Sequence, residues 1–310
     1  MNPDLGRQAV EESRSEITEA LKGADMVFIT AGEGGGTGSG AAPVIAEIAK
    51  ELNALTIAVV TKPFGFEGAQ RSRIAQEGLI KLQDKVDTLI TIPNDRIFSL
   101  IDKNTSLIRA FEKIDEVLRN AVQGVAELIT APGIINVDFA DVKTVMQDAG
   151  SAIIGIGVSS GPERAITAAN MAVNSPLLEI SIDGARGVLF SVSGHRDLKM
   201  DEVNEVARLV SENVERSAKI IFGTYHDRKL KKGEIKVVLV ATGFDHNLNR
   251  EIGPLPNLFV SDNVVFQDKA LDLSGNEDVR VKKEEWKQTG KKAEKKDKNE
   301  EILDTPTFLR

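Results

Sequence analysis

Ala24-Asp25-Met26-Val27-Phe28-Ile29-Thr30 runs through Ala31 into Gly32-Glu33-Gly34-Gly35-Gly36-Thr37-Gly38-Ser39-Gly40, and residues 41–52 follow as AAPVIAEIAKEL. The first run is short, apolar and bounded by Gly23 and Gly32, which fits a buried strand. Residues 41–52 have helical spacing. Between them lie six glycines in nine residues, an entropic cost that a mere connector has no reason to carry. Backbone N–H groups unshielded by side chains would converge there on a helix N-terminus, where orphan donors and the helix dipole favour an anion. Phosphate is the natural ligand. The loop lacks a Gly-Lys-Ser/Thr ending, so it is not a Walker-type ATP site. Gly36 to Ala41 satisfies G-x-G-x-x-A, but the next strand ends in Thr61-Lys62 without an acidic residue for a ribose hydroxyl, which counts against a nicotinamide enzyme.

Outward from this unit, residues 55–61 (LTIAVVT) read as a second strand, 70–83 as a helix, and 87–92 as a third strand closed by Pro93-Asn94-Asp95. Strands alternating with helices predict a parallel, doubly wound α/β sheet. Upstream, Asn2 to Lys22 reads as one helix. From Leu107 to Ile129, Ile108, Phe111, Ile114, Leu118, Ala121, Val122, Val125 and Leu128 recur at helical intervals, a helix long enough to join two domains. It stops at Ala131-Pro132-Gly133. Beyond it, apolar runs at 152–158, 187–193, 218–223 and 235–242 alternate with helices near 163–173 and 200–213, the last two strands following each other directly; this is an α+β pattern. The expected division is a nucleotide-binding domain over 1–106, a connecting helix over 107–131 and an α+β domain over 132–246.

From about Leu248 the texture changes. Between Asn276 and Glu301 stand nine basic and eight acidic residues with little apolar content, too little to offset ordering entropy. Residues 247–300 are expected to be a disordered, solvated linker, with Trp286 an incidental exposed aromatic, and 301–310 (EILDTPTFLR) to be a docking peptide. Over 310 residues the formal net charge is −8, which disfavours nucleic acid as a partner. Zero cysteines exclude thiolate chemistry and Cys-ligated metals. Only His195, His226 and His246 are present, none paired at i, i+4, so no metal ligands are assigned among the histidines. No run is apolar enough to span a bilayer and the start has no signal core, so the expectation is a cytoplasmic protein without direct membrane insertion.

Ala31 to Gly40, AAPVIAEIAKEL, TKPFGFEG, TIPNDR, AVQGVAELIT, PGIINVDFADVKTVM and SPLLEISIDGARGVL stand in order between Asn2 and Asp245. On these motifs the sequence resembles the tubulin/FtsZ family. The resemblance implies a tubulin-like fold: a Rossmann-type parallel-sheet GTPase domain joined by a long central helix to an α+β domain. It implies a protein that binds GTP/GDP, polymerises head to tail with copies of itself into protofilaments of the division ring, and hydrolyses GTP between subunits. By the same resemblance Gly35, Gly36, Thr37 and Gly38 would cradle the phosphates, with Ser39 replacing the usual threonine. Glu67 and Arg71 would lie at the ribose and phosphates. Asn94, Phe111 and Asp115 would hold the guanine, whose N1–H and 2-amino group a carboxylate can accept and whose ring can stack on Phe111. By structure alone, Phe111 reads as core and Asp115 as a solvated charge.

Loop 133–141 resembles the segment that one subunit inserts against its neighbour's nucleotide. Asp138 and Asp141 would position the attacking water and Asn136 would orient the loop, while Mg2+ held mainly by phosphates and water offsets charge. The plain structural alternative is that Asp138 N-caps the following helix with Asp141 in its first turn. Residues 304–310 resemble the family's peptide for membrane tethers and regulators such as FtsA, although Thr305 stands where an apolar residue is usual. The resemblance also implies a strand and a first glycine-rich loop upstream of Met1, so the sequence is expected to be a fragment, with weak GTP binding and an exposed apolar seam if it acts as it stands. The alternative function is then a non-catalytic interaction or filament-capping protein.

Overall fold

The computed structural model describes residues 1–99, 101, 104–178 and 180–244. These lie within one compact unit, Met1–Gly253; the second unit, Pro254–Arg310, lies wholly outside the described residues. The expected linker 247–300, the docking peptide 301–310, Trp286 and His246 therefore fall outside them as well.

The chain opens with α1 (Pro3–Glu12) and α2 (Arg14–Leu21) rather than one helix over 2–22. Ser13, at φ −101° and ψ 14°, ends the first and begins the second. The glycine run then joins β1 (Met26–Gly32) to α3 (Thr37–Glu51), followed by β2 (Leu55–Lys62), α4 (Ala69–Gln83) and β3 (Thr88–Pro93). β1, β2 and β3 are neighbours in parallel register, with Gly32 opposite Thr61 and Lys62 opposite Pro93. The strand lies two residues later than the apolar run suggests, because Ala31 and Gly32 continue the ladder.

α5 (Leu107–Thr130) is the long helix, and Ala131 closes it. There follow β4 (Gly133–Ile135), α6 (Phe139–Met146), β5 (Gly150–Ser160), α7 (Arg164–Val173), β6 (Gly187–Gly194), α8 (Met200–Glu212), β7 (Lys219–His226) and β8 (Glu234–Thr242). All eight strands form one sheet in the order β1-β2-β3-β5-β8-β6-β7-β4. β5 is the splice. Gly150–Ala152 pair in parallel with β3, whereas Ile153–Ser160 run antiparallel to β8. β7 and β8 follow each other in sequence but are not neighbours, since β6 lies between them.

Alternation along the strands divides the core into two layers. Val59, Ile90, Leu189, Val238 and Val240 face one side with Ile114, Val117, Ala121 and Val125 of α5 and Val142 and Met146 of α6. Ala58, Val60 and Leu89 face the other, against Ala42, Ala46 and Ala49 of α3 and Leu79 and Leu82 of α4. On that second face Val237 and Leu239 pack with α7 and α8 through Ala168, Ala172, Val206 and Val210. α1 packs on α3 through Val10, Ala41, Val44 and Ile48. Among the described residues, no helix is long and apolar enough to cross a membrane.

Candidate functional site

The carboxyl ends of β1, β2 and β3 lie side by side, the place where open parallel sheets bind ligands. The glycine run leaves β1 there and turns at Gly34, whose φ of +93° suits glycine alone and whose Cβ, were there one, would sit 2.8 Å from Arg71 Cγ. α3 starts at Thr37, so the N–H groups of its first turn have no acceptor within the helix. Gly35, Gly36, Thr37 and Gly38 thus form the rim of the cradle. α1 covers the inner side so closely that a Cβ on Gly40 would meet Pro3 O at 2.0 Å.

The loop is held from within. Ser39 is buried, and its hydroxyl donates to Glu33 Oε2 at 2.6 Å while accepting from the Gly34 N–H at 2.9 Å. The Gly34 amide is therefore turned inward, away from any ligand. Glu33 is 4% exposed. Burial pushes its carboxyl above the ordinary range, against the opposing pull of the Ser39 hydroxyl.

Past the end of β2, Glu67 accepts from the Phe64 N–H at 2.8 Å through Oε1 and pairs with Arg71 at 2.6 Å through Oε2. Asp95, just beyond β3, accepts from the Gly65 N–H at 3.1 Å, tying the two loops together. Its neighbour Asn94 is 7% exposed. Glu33 Oε1, Arg71 Nε and Asn94 Oδ1 are buried without a partner in the protein. Buried polar atoms normally find one, so three such atoms beside the carboxyl ends of β1, β2 and β3 fit a site that a polar ligand completes.

Phe111 is 44% exposed, with its ring edge-on to the buried Phe64 at 5.7 Å. Half core and half surface, it leaves an open face beside loop 63–67. Asp115 is exposed one turn further along α5. The fold places Gly35 to Gly38, Glu67, Arg71, Asn94 and Phe111 around the carboxyl ends of β1, β2 and β3, with Asp115 beyond Phe111 on α5.

Asn136, Asp138 and Asp141 lie beyond the other end of α5. At 1.5 Å per residue, Asp115 to Thr130 alone spans about 22 Å. Asp138 N-caps α6 by accepting from the Ala140 N–H at 3.4 Å, and Asp141 sits in its first turn, as the structural alternative expects. Asn136 Oδ1 accepts from the Gly133 N–H at 2.8 Å, folding the loop back on β4, while Ile134 is 74% exposed. All three polar side chains face solvent. One chain does not bring the two sets together.

Two features were not assigned from sequence. Glu33 is the sole charge in the glycine run, which is the available signal, but its burial depends on α4: a Cβ on Gly78 would sit 2.6 Å from Glu33 Oε2. The fold also brings His195 and His226, 31 residues apart in sequence, to a ring separation of 5.3 Å. Among the described residues no group of three or more His, Asp or Glu could hold a metal.

Residues 1–102 match the family model described as "Tubulin/FtsZ family, GTPase domain", and residues 150–245 match "FtsZ family, C-terminal domain". FtsZ from M. jannaschii, solved as an empty dimer, is 51% identical with a TM-score of 0.75, covering 78% of this chain and 70% of that one. A point mutant of the same protein gives 51% and 0.76, covering 78% and 73%. GDP-bound monomeric CetZ1 from Haloferax volcanii shares the fold at 20% identity and a TM-score of 0.65, covering 79% and 74%. With half the residues identical over more than two thirds of its length, the chain belongs to the tubulin/FtsZ family of cytoskeletal GTPases.

Proposed function

We propose that this protein binds GTP at the glycine cradle, assembles head to tail with copies of itself, and hydrolyses GTP where loop 133–141 of one copy meets the cradle of the next. The observation that carries this is the placement of the two residue sets at opposite ends of α5: neither is a catalytic centre alone. In the cradle, N–H groups of Gly35 to Gly38 hold phosphate oxygens, Glu67 and Arg71 flank ribose and phosphates, and Asn94, Phe111 and Asp115 hold the guanine. From the neighbour, Asp138 and Asp141 orient the attacking water and accept its proton as its oxygen bonds the γ-phosphorus and the bond from that phosphorus to the β–γ bridging oxygen breaks, GDP leaving with that oxygen. The Asn136 bond to Gly133 and the capping role of Asp138 support this, because they fix the loop that carries the carboxylates. Mg2+ held mainly by phosphate oxygens and water would supply counter-charge to the phosphoryl group.

On this reading residues 1–106 bind nucleotide, 107–131 connect, and 132–246 present the loop. By analogy with the family, the filament belongs to the cytoplasmic division ring, with 304–310 docking a tether such as FtsA. Light scattering with GTP and Mg2+, run beside phosphate release across protein concentration, tests the proposal. Turnover per molecule should rise with assembly; a rate independent of concentration overturns it. Inhibition of a complete homologue without turnover would instead support filament capping.

A further inference from the structure

We propose that Glu33 is a positioning residue of the phosphate loop whose carboxyl group is protonated while phosphate fills the cradle, so that binding a nucleoside diphosphate takes up a proton. This rests on the nucleotide reading above and concerns a residue outside the set assigned there.

The geometry carries it. Glu33 is almost wholly buried at the base of the loop, with Oε2 on the Ser39 hydroxyl and Oε1 on nothing. The groups nearest it are Ser39, Gly78 and the Thr61 carbonyl, with the cations Arg71 and Lys62 on neighbouring elements. From α3 comes Ser39; from α4 comes Gly78, which has no side chain; from β2 comes the Thr61 carbonyl, which accepts the Glu33 N–H at 2.9 Å. Arg71 approaches the loop with its aliphatic Cγ at Gly34, while its guanidinium pairs with Glu67. Lys62, next along β2, has interactions of its own. A carboxylate here has the Ser39 hydroxyl for support, and burial, the larger influence, disfavours its charged form.

Phosphate bound on Gly35 to Gly38 adds two or more negative charges within a few residues of Glu33. Like charges in a dry site cannot both persist cheaply, so occupancy raises the carboxyl's titration point further. By linkage the proton then favours the ligand as much as the ligand favours the proton. Affinity is highest below the titration point of the empty loop. It falls by up to about tenfold per pH unit above that point and levels off above the titration point of the filled loop. The neutral acid also places Ser39 and hence the Gly34 amide, so its protonation state bears on loop shape as well as on charge.

The test is GDP binding by calorimetry from pH 5.5 to 8.5, in buffers of different ionisation enthalpy, for the wild-type chain and Glu33→Gln. Protons taken up by the β-phosphate of GDP are common to both proteins, so the difference isolates Glu33. The expected result is a greater proton uptake in the wild type and a flatter affinity profile in E33Q, lying near the wild type's low-pH limit. Binding with equal proton counts and parallel profiles overturns the proposal and leaves the nucleotide reading intact. Absence of GDP binding by both proteins at every pH overturns that reading and the linkage with it. Should E33Q not fold, the carboxyl carbon of Glu33 in the wild type is titrated by 13C NMR with and without GDP. An upward move of its midpoint supports the proposal; an unmoved midpoint, or one at the ordinary glutamate value, overturns it.

Discussion

Replacing Asp138 with Asn keeps the helix cap and removes the charge, which separates the two things this residue does. Asn caps helices about as well as Asp, whereas Ala forfeits the cap at roughly 0.5–2 kcal/mol. The Asp138 contact to the Ala140 N–H is long at 3.4 Å, and the residue is exposed, so the loss for Asp138→Ala belongs near the low end, about 0.5–1 kcal/mol. For a chain of this size that is about 1–4 °C in Tm. Asp141 makes no cap contact through its side chain, and its N–H bond to the Asp138 carbonyl is backbone, so Asp141→Ala should leave Tm within about 1 °C. Losing a positioned proton acceptor costs roughly 10²–10⁴-fold in rate. D138N and D141A should therefore assemble with GTP at unchanged Tm yet release phosphate at least about a hundredfold more slowly, while D138A is equally slow and also less stable. Thermal melts, light scattering and phosphate release on the same samples give the three readouts. If D138N releases phosphate at the wild-type rate per assembled mass, or if rate follows Tm across the three variants, these carboxylates are helix caps only and the interfacial mechanism fails.

Arg164, buried on α7, bonds Glu202 at 2.6 Å and Asp197 at 2.8 Å. Arg164→Ala strands two carboxylates and should cost about 3–5 kcal/mol in urea unfolding; a loss under 1 kcal/mol would show the triad to be slack. Hydrogen bonds from Arg164 hold both carboxyls below their ordinary values of 4.5 and 3.8. Their folded values being depressed, they stabilise the fold fully above about pH 5 and progressively less as pH falls through and below 4. Urea midpoints from pH 3 to 7 should show that loss in the wild type and a shallower one in Arg164→Met. Tyr225, whose phenol is pushed up by burial and donates to Glu127 Oε2 at 2.6 Å, ties β7 to α5. Tyr225→Phe should cost about 1–2 kcal/mol, read as a lower urea midpoint at unchanged slope. Gly78→Ala would press on Glu33 and Ser39; it should lose about 1–3 kcal/mol and weaken GDP binding in calorimetry, and unaffected binding would show the loop to be insensitive to its base.

Legibility followed the range of the interactions. β2 and β3 announce themselves as β-branched runs, and α5 carries its own period, so local pattern alone places them within a residue or two. The glycine run marks the cradle because no connector needs six glycines. β4 has only three residues, Gly133–Ile135, and exists by pairing with β7, which nothing local signals. β6 separates β7 from β8 through long-range pairing that overrides their adjacency in sequence. The break at Ser13 turns on one residue's φ and ψ within an otherwise helical pattern. At the site, Asp138 reads correctly as a cap because the signal is local. Glu33 reads as a polar loop residue, because what buries it is Gly78, 45 positions away. Asn94 and Arg71 show their unpartnered atoms only once three strand ends stand in a row.

The splice in β5 also gives the molecule a mechanical grain. Three register pairs tie it to the amino end of β3, against eight tying it to β8. On the head-to-tail reading, tension along a string of such molecules would strain the shorter of these two seams first, backed by α5 and its apolar stripe. On that reading, a filament under load would part β5 from β3 before it parted β5 from β8.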